Sequence, residues 1–159
     1  MSVILWRIAQ ETLEYRADNL SGLGAAMTGG RWNSISKAMV YTSRSVALAY
    51  LESLAHIGRE APRSRLLIRI SVPDRVWERA LRAIEKELPP TWRAEPAGQT
   101  SAQFGDKWLA SGKSALLCLP SVIVPEDCNV LINPKHDDAR SLAPRVERQL
   151  LYDARVLRL

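Results

Sequence analysis

The apolar residues of this 159-residue chain fall in short runs, each cut off by proline, glycine or a polar cluster. That punctuation constrains the fold more than any other feature, because it admits short strands and few long helices. Residues 3–9 read as a strand, with Val3, Leu5 and Arg7 on one face and Ile4, Trp6 and Ile8 on the other. Residues 38–42 form a second strand around Val40 and Tyr41. The clearest is 66–72, where Leu66, Ile68, Ile70 and Val72 face one way. Residues 114–119 make a compact apolar strand that Pro120-Ser121 breaks before Val122-Ile123-Val124. Residues 129–132 make another, closed by Asn133-Pro134, and the tail from 145 to 159 supplies one or two edge strands.

Helical signals lie between these runs. Thr42 or Ser43 caps a helix that reaches about Ile57, with Gly58 as its C′ residue. Its buried stripe is Ala47, Tyr50, Leu51 and Leu54, and Glu52 falls on the border of that stripe. Pro73-Asp74 opens a second helix that extends at most to Leu88, where Pro89-Pro90 stops it. Residues 92–99 are loop. Thr100 and Gln103 form a capping box ahead of a short helix containing Trp108 and Leu109, which Gly112 ends. Residues 10–19 take no assignment from their pattern, and 21–30 read as a glycine-rich loop. Strands scattered among helices without regular βαβ alternation indicate a compact mixed α+β domain spanning 1–159, with no repeats and no dividing linker.

Composition narrows the function classes. Every apolar run is shorter than the roughly 18 residues a membrane span requires. The first residues lack a basic n-region and a small-residue cleavage site, so no secretion signal is expected and a cytoplasmic location follows. Cys118 and Cys128 lack metal-ligand spacing and read as reduced thiols, and no metal site is expected. Gly22-Leu23-Gly24 is followed three residues later by Met27 and has no strand before it, so the dinucleotide fingerprint of a Rossmann fold fails. The net charge of +5 rests on 22 basic residues, 17 of them arginine, which favours contacts with anions. They are dispersed rather than gathered on a stripe with interleaved aromatics, so the charge alone does not separate nucleic acid, an acidic partner surface and a phosphorylated ligand.

The stretch richest in chemistry is Gly29-Gly30-Arg31-Trp32-Asn33. Glycine lets main chain approach a ligand closely, arginine offers a forked donor to phosphate or carboxylate, tryptophan a flat face, and asparagine both donor and acceptor. The plain alternative is a turn with a solvated Arg31 and a Trp32 that plugs the core.

These residues, with Val40-Tyr41 and Glu52 behind them, resemble the RES-domain toxins. The resemblance continues through Trp108-Leu109-Ala110-Ser111-Gly112, Pro120-Ser121-Val122-Ile123-Val124-Pro125 and Asn129-Val130-Leu131-Ile132-Asn133-Pro134-Lys135-His136. It covers nearly the whole chain in family order, and only residues 78–99 support nothing. The Arg, Glu and Ser for which the family is named correspond to Arg31, Glu52 and Ser121. The resemblance implies a bacterial toxin paired with an Xre-type helix-turn-helix antitoxin, in a hetero-oligomer. It also implies a fold similar to that of ADP-ribosyltransferase toxins and cleavage of NAD at the nicotinamide–ribose bond, with NAD as substrate and no cofactor.

The residues suit that chemistry. Bond cleavage leaves an oxocarbenium-like ribose, which the Glu52 carboxylate would stabilise. Tyr41 would stack on nicotinamide, Arg31 grip the pyrophosphate, Arg7 add a second cation, and Ser121 bond nicotinamide or ribose. Each has a structural alternative: Tyr41 a core residue with a tethered hydroxyl, Arg7 a strand ion pair, Ser121 a turn residue. Trp32 and Asn33 line or shape the substrate loop, and His136 holds a turn. Two rival functions stand beside NAD degradation. One is transfer of ADP-ribose to a specific protein; the other is a basic nucleic-acid-binding module, although no direct nucleic-acid binding is expected of a RES-type toxin alone.

Overall fold

A computed structural model describes residues 2–57 and 64–157. Seven strands, β1 (Val3–Gln10), β2 (Val40–Ser43), β3 (Arg65–Val72), β4 (Leu81–Arg82), β5 (Leu116–Pro120), β6 (Cys128–Ile132) and β7 (Ala143–Gln149), pair in one sheet. Their order is β4-β5-β6-β2-β1-β3-β7, antiparallel throughout except for β4 on β5. Four helices accompany them: α1 (Leu23–Thr28), α2 (Val46–Ala55), α3 (Asp74–Glu78) and α4 (Gln99–Ser111). The architecture is α+β.

Period-2 alternation divides the side chains between two cores. Leu5, Val40, Ile68, Ile70, Val72, Leu116, Cys118, Val130 and Ile132 pack on one face, with Val76 of α3. Leu117, Leu119 and Leu131 point the other way and meet Trp32, Trp92 and Trp108, the last carried by α4. Cys118 and Cys128 are both free thiols.

Several local expectations need correction. Neither Thr42 nor Ser43 caps α2, because the sheet uses both hydroxyls: Thr42 donates to the Val130 carbonyl and Ser43 to Asn129 Oδ1. Ser45 is the cap, its Oγ accepting the Leu48 N–H. With this later start the buried positions are Leu48 and Ala49, while Leu51 is 39% exposed. Glu52, four residues after one and three after the other, is thereby drawn into line with the buried side. The proposed cap Gly58 lies outside the described residues.

The helix after Pro73 stops at Glu78, well within the bound that Pro89-Pro90 sets. The chain then joins the sheet as β4, and the Ala83 N–H donates to the Cys118 carbonyl. Residues 21–30 are not all loop, since α1 forms there behind Gly22. Gly22 has φ 72°, and a Cβ on it would fall 2.6 Å from the Met39 nitrogen. The capping box at Thr100 and Gln103 does not form; α4 begins behind Gly98, and the Thr100 hydroxyl pairs with that of Thr91. Residues 122–123 form a bend after the break at Pro120-Ser121. The tail gives one edge strand, β7, which starts earlier than the pattern suggests; no strand follows it among the described residues.

Candidate functional site

The site is assembled on the face of the sheet that carries the tryptophan cluster. On β2, Tyr41 and Ser43 share that face, two residues or about 6.7 Å apart. The register sets Tyr41 opposite Leu131 and Ser43 opposite Asn129 of β6. Glu52 reaches this face from α2. Ser121, fully buried, stands where the chain leaves β5.

Four side chains connect there. The Ser43 hydroxyl donates to Asn129 Oδ1 over 2.7 Å, and Asn129 Nδ2 donates to Glu52 Oε1 over 2.6 Å. The Ser121 hydroxyl donates to the same Oε1 over 2.8 Å. Ser121 Oγ also accepts the N–H groups of Ile123 and Val124. A hydroxyl has one proton and two lone pairs, so all the capacity of Ser121 goes to holding Glu52 and closing its turn. In this arrangement Ser121 supports the carboxylate and has nothing to spare for nicotinamide or ribose. Among the described residues no hydrogen bond reaches Glu52 Oε2, and no cation pairs with Glu52. The result is a partly exposed carboxylate fixed by one oxygen, with the other unbonded among the described residues.

The glycine-rich loop is anchored beside this cluster. Tyr41 Oη accepts the Trp32 N–H and donates to Asn33 Oδ1 over 2.6 Å. Burial holds the Tyr41 phenol well above its ordinary range, so it stays protonated. Tyr41 is therefore the core residue with a tethered hydroxyl, its ring half-buried. Asn33 is buried and its amide donates to the carbonyls of Ala25, Ser34 and Lys37. Trp32 is buried against Trp92 and Phe104. Both residues shape the loop. Tyr41→Phe should cost about 1–3 kcal/mol, because it strands a buried N–H and a buried carbonyl oxygen. Chemical denaturation measures this, and an unchanged midpoint would show the hydroxyl to be dispensable for the loop.

Arg31 is engaged by the segment that the sequence reads as loop. Its Nη1 donates to the carbonyls of Trp92 and Ala94, both at 2.8 Å, and Nη2 pairs with Glu95 at 2.9 Å. No partner among the described residues takes its Nε–H. Arg7 is not brought to the cluster. The register places it opposite Ile68, on the face of Leu5 and Ala9, and its Nη1 donates to the Asn19 carbonyl. His136 holds a turn as expected, accepting the Asp138 N–H. Sequence reasoning missed Ser43 and Asn129 as members of the site. Their only signal is polarity at facing positions of otherwise apolar strands.

Comparison with known proteins gives the family. The RES domain family matches residues 4–153. The chain belongs to the RES family of toxins. The "Prs ADP-ribosylating toxin" of Sphingobium sp. (strain YBL2) is 48% identical to this RES protein over 159 residues, 99% of each chain. "Toxin Res" of Yersinia enterocolitica is 34% identical, covering 91% of this chain and 93% of its own, and the Pseudomonas putida protein of that name is also 34% identical, covering 91% and 94%. The RES fold here resembles the M. tuberculosis MbcT–MbcA toxin–antitoxin complex with a TM-score of 0.61 at 17% identity, over 99% of this chain and 88% of that one. No helix among the described residues is long and apolar enough to cross a membrane, and no group of His, Cys, Asp and Glu among them could hold a metal ion.

Proposed function

We propose that this RES protein cleaves NAD at the nicotinamide–ribose bond, and that Glu52 stabilises the cationic ribose as nicotinamide departs. The observation that carries this reading is the half-free carboxylate. Neutral donors fix Glu52 Oε1, so the group is held in place without losing the charge that a developing oxocarbenium ion requires. Arg31 serves the NAD phosphates through the donors that the Trp92 and Ala94 carbonyls and the Glu95 carboxylate leave open, and it also fastens that segment to the loop. Tyr41 supports the loop and presents one side of its ring to the nicotinamide.

Two acceptors for the ADP-ribose are distinguished by experiment. Water or another small nucleophile gives NAD depletion. A protein side chain gives ADP-ribosylation, and the name of the 48%-identical Sphingobium relative favours this second course. The purified protein is incubated with NAD labelled in the adenylate, alone and with cell lysate. Nicotinamide release is the expected result; free label identifies the first course, and label retained on a lysate protein the second. Absence of nicotinamide in both incubations would overturn the proposal. We further propose that a helix-turn-helix antitoxin of the Xre kind binds in a hetero-oligomer and shields the site, which abolishes NAD turnover in the complex.

A further inference from the structure

We infer that Ser43 and Asn129 are positioning residues that set which oxygen of Glu52 faces the substrate; this rests on the proposed NAD chemistry. The carboxylate of Glu52 is symmetric until its surroundings make it otherwise. Here both donors reach Oε1, at 2.6 Å from Asn129 and 2.8 Å from Ser121. Asn129 donates only because its amide is turned with nitrogen toward Glu52. An asparagine amide reads almost equally well when flipped, so something must select the orientation. The selecting group is the Glu52 carboxylate, which only accepts and so draws Nδ2 to itself; the Ser43 hydroxyl, able to donate or accept, then donates to Asn129 Oδ1 over 2.7 Å and holds the amide in place. Ser43 is itself 3% exposed, so water does not replace its hydroxyl freely.

The strand register makes this relay possible. Ser43 and Asn129 are directly paired across β2 and β6, where facing side chains stand close. The relay is neutral from end to end. An arginine or lysine in the place of Asn129 would hold Glu52 just as firmly but would spend its charge before the ribose cation formed. An amide locked by a serine orients the carboxylate and leaves the charge for the transition state. Ser43 touches no reacting atom and acts through Asn129.

The test uses the full chain and two measurements. In steady-state NAD turnover, Ser43→Ala lowers kcat about five- to ten-fold with KM little changed, since one neutral hydrogen bond is lost and only orientation suffers. Ser43→Thr, which keeps the hydroxyl, restores kcat to within about three-fold of the parent. Asn129→Asp is nearly isosteric but sets a second carboxylate against Glu52. It moves the acid limb of the pH–kcat profile to higher pH. The second measurement needs no activity: in 13C-labelled protein the Glu52 carboxyl signal titrates at higher pH in Asn129→Asp than in the parent.

An unchanged kcat in Ser43→Ala together with an unchanged Glu52 titration in Asn129→Asp would overturn the inference. So would failure of Ser43→Thr to rescue a folded Ser43→Ala. If Ser43→Ala does not fold, judged by circular dichroism, the Asn129→Asp titration decides. If the parent releases no nicotinamide but the titration moves, the contact stands and the proposed NAD chemistry is what has failed.

Discussion

Glu52→Gln is expected to lower kcat for NAD cleavage by about 10²–10³, by analogy with other preorganised charge stabilisers. The substitution preserves shape and most contacts. The glutamine carbonyl oxygen takes the place of Oε1 and still accepts from Ser121 and Asn129. The amide NH2 is then forced into the place of Oε2, presenting protons toward a ribose that is becoming positive. A negative oxygen is exchanged for a donor at the one point where charge develops, and the loss appears only in the transition state. KM and NAD affinity should change far less, and the fold should be intact because both hydrogen bonds to the anchored oxygen survive. Calorimetry on the variant gives the affinity, steady-state kinetics give kcat, and circular dichroism confirms folding. Near-normal turnover would make Glu52 a structural helix residue. Equal loss of affinity and turnover would make it a ground-state ligand and put the stabilising group elsewhere.

The second large effect lies in the support of the loop rather than in the chemistry. Gly105, in the middle of α4, passes directly over the Trp32 carbonyl; a Cβ on it would come within 1.8 Å of that oxygen and 2.8 Å of its carbon. Two effects oppose each other in Gly105→Ala. Helix propensity favours alanine by about 1 kcal/mol. Overpacking against backbone costs more, about 3 kcal/mol or above, because neither the helix nor a loop fixed by Tyr41 and Asn33 can yield cheaply. The clash wins. At about 2–4 °C per kcal/mol for a chain of this length, the net loss should lower the melting temperature by roughly 4–8 °C or more. Calorimetry measures it. An unchanged or raised melting temperature would mean that α4 does not lie on Trp32 as described, and that the loop draws its rigidity from elsewhere.

Sequence and structure divide the description of this protein along a physical line. Much of what depends on neighbours within a few residues was legible beforehand. The alternation in 66–72 gives β3 and its buried face, because side chains alternate in any extended strand. Gly112 ends α4 with φ 58°, and the mixed α+β class follows from short runs between breakers. Family order singled out Arg31, Glu52 and Ser121 as candidates, and the RES domain family matches residues 4–153.

Whatever depends on pairing distant strands was decided by the tertiary structure. Sheet formation claimed the hydroxyls of Thr42 and Ser43 and left the cap to Ser45, while Asn129 of β6 and Ser121 hold Glu52. Register alone put Arg7 on the wrong face to join Glu52, since one residue of offset reverses a strand side chain. Arg31 found its carbonyl partners more than sixty residues away, in a segment without any pattern of its own. Ser43 and Asn129 are unremarkable in the chain and meet only because β2 and β6 align them. Local periodicity and breakers determine where an element lies. Only the long-range hydrogen-bond register determines which polar groups face each other, and at Glu52 that pairing makes the site.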